Sequence, residues 1–170
     1  MRFMMPVSTL TSVASTTAAT LLCLATTVAA AQPMKAFRTM NATGTFDVKV
    51  LPQQPDNEHA RNGSVGRLAL DKRFHGPLQG QSQGEMLAFG DGREHGAYVA
   101  VEKFTGSLDG RSGSFALVHR SLMRNAKPEQ WQVLVVPGSG SGALAGIDGA
   151  MTITIEGGVH RYTFEYTLPQ

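Results

Sequence analysis

The sequence predicts an all-β fold, an eight-stranded antiparallel closed barrel, with a two-sheet β-sandwich as the alternative. Three observations point there. Period-two alternation of apolar and polar residues recurs from Gly44 onward. Dipeptides that favour tight turns with positive φ separate successive alternating runs: Asp91-Gly92, Asp109-Gly110 and Gly157-Gly158. Beyond residue 31, no segment of helical length carries a 3.6-residue apolar stripe.

The strands follow in order. Phe46, Val48 and Val50 alternate with Thr45, Asp47 and Lys49 in the first. Pro52 to Gly66 is rich in Pro, Asn, Gln and Gly and reads as a long surface loop. Arg67 to Phe74, Leu78 to Phe89, Ala97 to Thr105 and Ser114 to Met123 give strands two to five. Trp131 to Val136, Ala150 to Glu156 and Val159 to Leu168 give six to eight, with Asp148-Gly149 closing the loop before the seventh. Eight short strands joined mostly by hairpins form a meander, and closing it removes both raw edges.

The N-terminus reads differently. Arg2 is the last charged residue before Lys35, and the most apolar run, Ala18 to Ala31, ends on the small-x-small pattern Ala29-x-Ala31. A basic start, a short apolar core and an A-x-A end describe a secretory signal. Three threonines dilute a run already shorter than the ~20 apolar residues a membrane span needs. A lipid anchor on Cys23 is rejected, because Leu22 stands where a small residue is required. The expected organisation is a signal peptide over 1–31, a short leader over 32–43 and a barrel domain over 44–170, in a periplasmic or secreted protein.

Removing 31 of the 170 residues leaves 139, and the single cysteine, Cys23, goes with the signal. No disulfide or Cys-based metal site is then available. The mature chain must be held by its core, which ~140 residues can supply. Losing Arg2 leaves 14 basic side chains against 13 acidic ones, with no basic run. Nucleic-acid binding lacks its electrostatic footprint, and no membrane span remains. His59, His75, His95, His119 and His160 show no paired metal-ligand spacing. Gly138 to Gly142 alternates Gly with Ser but lacks the Gly-Lys-Ser/Thr ending of a phosphate loop, and reads as a flexible hairpin connection. No motif for a cofactor is found.

Several segments carry a resemblance. They include Lys72-Arg73-Phe74-His75-Gly76, Gly80 to Met86, Gly96 to Glu102, Thr105 to Leu108 and Gly110 to Phe115. Val136-Pro137-Gly138-Ser139-Gly140 and His160 to Leu168 complete the set. Together they resemble the bacterial domain-of-unknown-function family 3224, across about Phe46 to Leu168. The family's known folds resemble the allene oxide cyclase barrel. The resemblance implies an eight-stranded barrel and no established activity. That cyclase isomerises a lipid epoxide, but none of its site residues can be matched here, and shared fold is not shared function.

Phase along the strands selects the candidate site. Glu102 alternates with Tyr98, Ala100 and Phe104; His119 with Phe115, Leu117 and Ser121; His160 with Tyr162, Phe164 and Tyr166; and Lys72 with Leu68, Leu70 and Phe74. If these faces point inward, Lys72, Ser82, Tyr98, Glu102, His119, His160 and Tyr162 line the interior as candidate ligand-binding residues. Glu102 and His119 are the candidate acid–base pair. A buried carboxylate must be paired or protonated, with His119 the first choice of partner and Lys72 the second. The same pattern also describes a purely structural polar network. Gly80, Ser82 and Gly84 share one face of the third strand. They either leave room for one ligand or accommodate large neighbours and strand coiling.

The leading expectation is a barrel that binds a small, largely apolar molecule. The others are an isomerase or cyclase resembling allene oxide cyclase, using Glu102 and nearby His or Tyr, and a structural or homo-oligomer-forming barrel with a filled interior.

Overall fold

The computed structural model describes residues 37–55, 57–91 and 94–169. The expected signal peptide lies outside the described residues. The strands are β1 (Phe37–Gln53), β2 (Gly66–His75), β3 (Leu78–Gly90), β4 (Gly96–Leu108), β5 (Arg111–Arg124), β6 (Lys127–Val135), β7 (Ser141–Gly142), β8 (Asp148–Glu156) and β9 (Val159–Pro169). Each of β1 to β5 pairs antiparallel with the next; β8 joins β6, and β9 joins β8 to β1. The ring therefore closes on eight strands, and the two-sheet alternative falls away. β7 is a two-residue addition that pairs with Gly113 and Ser114 of β5.

Three boundaries move. β1 starts at Phe37 rather than Gly44, running through part of the segment read as a leader. There Phe37 to Thr43 pairs with Pro169 to Thr163 of β9. The inward positions Met40 and Ala42 alternate with Thr39, Asn41 and Thr43, a contrast too weak to read as a strand. β6 starts at Lys127, four residues before Trp131, because Asn125 and Ala126 make the turn in left-handed backbone. Neither residue is a glycine that would announce it. Asp148-Gly149 is not a loop closure: both residues already belong to β8, opposite Thr167 and Tyr166. The long loop after β1 holds a single helical turn, α1 (Glu58–Arg61), capped by the Asn57 side chain, which accepts from the Ala60 N–H at 2.9 Å.

One half of the barrel is filled. Phe104 packs on Phe115 with ring centroids 5.0 Å apart, Phe115 on Phe164 at 5.8 Å and Phe164 on Tyr166 at 5.2 Å. The turn after β7 adds Leu144 and Ile147, both fully buried. The Gly138–Gly142 stretch is therefore tethered, not free. Ser139 Oγ donates to the Val136 carbonyl at 2.6 Å and accepts from the Ala116 N–H at 3.0 Å, which holds the turn against the core.

The other half opens at a seam. β6 and β8 pair only at Val133–Met151 and Leu134–Ala150. Between the Arg120–Gln132 and Leu122–Glu129 pairs, β6 carries one residue more than β5, a β-bulge with Gln130 at φ +50°. Beyond it the strands part. Outside the barrel, Leu87 pairs with Val99, and Val101 with Val118 and then Leu134, giving an exposed apolar stripe.

Candidate functional site

Strand phase delivers the interior polar residues as expected. On β4, Ala100, Glu102 and Phe104 are all buried, and Glu102 retains 2% exposure. Its carboxylate Oε1 lies 2.8 Å from Lys72 Nζ, while His119 Nε2 is 3.8 Å away. Lys72, not His119, is thus the direct partner. The reason lies on β3, between the two. Lys72 is in register with Ser82, and Glu102 with Gly84. The small side chains there let two long ones meet across an intervening strand. A Cβ on Gly84 would fall 2.5 Å from the Glu102 Cα, and one on Gly80 would fall 3.1 Å from the Phe104 ring. Of the two readings of the Gly80–Ser82–Gly84 stripe, close packing is the one realised.

The cluster is incompletely satisfied within the protein. Among the described residues, Ser82 Oγ, Glu102 Oε2 and both ring nitrogens of His119 are buried without a hydrogen-bonding partner. Buried polar atoms are nearly always partnered, so each such group calls for an explanation. Burial, then the neighbouring Lys72 ammonium, push His119 down to about 4, against an opposing pull from Glu102. Near neutral pH the ring is therefore uncharged, and its contact with Glu102 is not an ion pair. The Tyr98 hydroxyl is pushed up to about 12, chiefly by burial, with the nearby Trp131 indole opposing and the Glu102 charge adding. Lys72 Nζ also lies 5.2 Å from the Phe46 ring centre, within cation–π range.

Above this cluster is a cavity of about 120 Å³ whose lining includes Lys72, His119, His160, Leu70, Met86 and Trp131. A larger groove of about 650 Å³ runs along the β6–β8 seam, lined by Met123, Pro128 and Ile155 among others. Tyr98, Trp131 and Ile153 line both, so cavity and groove adjoin. Ser82 and Glu102 sit beneath the cavity wall rather than in it. Tyr162 belongs elsewhere: its hydroxyl accepts from the Leu78 N–H at 3.1 Å and donates to the His75 carbonyl at 3.2 Å, tying down the β2–β3 turn.

The model of a family of proteins of unknown function, DUF3224, matches residues 42–166. The chain belongs to the DUF3224 family. It is also similar to the crystal structure of a DUF3224 protein of unknown function from Shewanella oneidensis, with 40% identity and a TM-score of 0.68. That match covers 78% of this chain and 98% of the other. No curated protein matches the chain.

Strand phase alone does not single out Trp131 and Ile153 as site residues, yet they line both the cavity and the groove of this DUF3224 barrel. The available signal was that Trp131, the sole tryptophan, shares its phase with Val133 and Val135. Among the described residues, no group of three or more His, Cys, Asp or Glu side chains could hold a metal ion.

His119 makes one pH prediction. Its folded-state value near 4 lies below the ordinary 6.5, so between these values the unfolded chain binds the extra proton. Stability falls as pH drops from about 6.5 towards 4, by on the order of 3 kcal/mol for this group. Urea unfolding across that window should show His119→Gln with a shallower pH dependence than the parent. Identical slopes would contradict the assignment.

Proposed function

We propose that this protein binds a small, largely apolar molecule at the β6–β8 seam, with one polar end on the Lys72–His119 cluster. The observation that carries the reading is the pairing of an apolar cavity with buried polar atoms that lack partners in the protein. Pockets of this kind, mostly apolar with a few convergent polar groups, suit small organic ligands. A filled structural barrel would offer no such space. Acid–base catalysis by Glu102 and His119 is less favoured: a histidine held near 4 is a weak base, and general-base catalysis works best near the operating pH. The cyclase likeness is only what the family resemblance implies, and a shared fold would not carry an activity. The apolar, charge-poor start ending in Ala29-x-Ala31 supports export to the periplasm or beyond.

The test uses Trp131, the only tryptophan, as energy donor. Titration with the neutral hydrophobe N-phenyl-1-naphthylamine should give saturable, one-to-one transfer from Trp131. Met86→Phe, which fills the cavity, should weaken it; Leu87→Ser, on the outer stripe, should not. Absence of saturation, or loss only in the Leu87 variant, would overturn the proposal.

A further inference from the structure

We infer that the ligand bound at this site is uncharged: an apolar molecule ending in a hydroxyl or carbonyl, rather than a carboxylate or an amine. This rests on the binding reading above and narrows it to a chemical class.

Lys72 is the cation that lines the cavity, and its ammonium is already matched by Glu102 at 2.8 Å. His119 beside them is neutral near pH 7, because burial and the Lys72 charge disfavour its protonated form. The Lys72–Glu102–His119 floor therefore carries no net charge; the remaining titratable side chains lining the cavity are Tyr98 and His160. The groove that leads to it is lined by Tyr98, Ser121, Met123, Trp131, Ile153 and Ile155 together with Ala126, Pro128 and Thr154, with no charged side chain among them. An ion resting there would shed part of its water and gain no counter-charge, which costs free energy. A hydroxyl or carbonyl loses far less water. It also finds a donor and an acceptor in the two His119 nitrogens, buried without a partner among the described residues, beside a Lys72 ammonium whose three N–H groups make one hydrogen bond, to Glu102. Electrostatic steering of an ionic ligand has no basis at this mouth.

The test compares three probes with one chain length: 1-octanol, octanoate and octylammonium. Each is titrated at pH 8, above the imidazole range, and followed by Trp131 fluorescence. The expected result is a saturable response to 1-octanol at a concentration at least tenfold below that needed for either ion. Octanoate or octylammonium binding as well as 1-octanol would overturn this inference and leave the binding reading standing. No saturable response to any of the three would remove both.

Changing the floor charge should change the preference. Glu102→Gln leaves Lys72 unmatched and should favour octanoate, whereas Lys72→Met leaves Glu102 unmatched and should favour octylammonium. Either single variant can be compromised in folding. The double variant Lys72→Met/Glu102→Gln restores neutrality and should keep the 1-octanol preference. An ion preferred by the double variant would contradict the charge argument.

Discussion

Glu102→Gln is expected to destabilise the barrel by about 3–5 kcal/mol, the usual cost of breaking a buried ion pair from one side. The substitution preserves shape and removes charge. It leaves the Lys72 ammonium, on a side chain only 6% exposed, without its counter-ion. Neither neighbour can take over: His119 is uncharged there, and the Phe46 ring offers only a weaker cation–π contact at 5.2 Å. Lys72→Met should cost a comparable amount, now stranding the carboxylate. The double variant should recover part of the loss, because it leaves no buried charge without its counter-ion. Urea unfolding of the four proteins completes the cycle, read as midpoint shifts at constant m. An exposed pair such as Arg67–Glu85 is worth roughly 0–1 kcal/mol by comparison. A Glu102→Gln midpoint unchanged from the parent would show that the pair is not buried.

Phe164→Ala should cost about 3–5 kcal/mol, through lost burial and the cavity left behind. Phe164 is fully buried and stacked between Phe115 and Tyr166, at the centre of the filled half. Its neighbours cannot relax into the gap. The Tyr166 hydroxyl donates to the Asp109 carboxylate in the β4–β5 turn, and Phe115 is held against Phe104. Thermal unfolding compared with the parent measures the loss. A shift below that of a one-methylene deletion would mean the filled half is not close-packed.

The contrast between these halves explains what the sequence made legible. Alternation is a local property, so it correctly put Glu102, His119 and Lys72 inside together with Ala100 and Phe104. Glycine-containing turns were equally readable: Asp109-Gly110 and Gly157-Gly158 do carry positive φ between paired strand ends. Partner choice was not local. His119 is on the strand next to Glu102, opposite Ala100, and looked the nearer partner. Lys72 is two strands away and reaches Glu102 only because Ser82 and Gly84 lie between. Depth along the barrel was not local either. Tyr162 shares its inward phase with His160, yet it caps the β2–β3 turn while His160 lines the cavity and lies tilted against Phe46, ring centroids 5.0 Å apart. The bulge that opens the seam turns on Gln130, a residue type with no special preference for left-handed backbone.

The central claim is that a ligand enters at the seam and rests on the Lys72–His119 floor. Nuclear magnetic resonance of the protein titrated with 1-octanol tests it most directly, through the Trp131 indole, the His119 ring and the side-chain methyl groups. The account predicts saturable shifts at Trp131, Ile153, Met86 and His119, with Leu87, Val99 and Val101 unmoved. Shifts confined to that outer stripe, or none at Trp131 and His119 at saturating octanol, would contradict it.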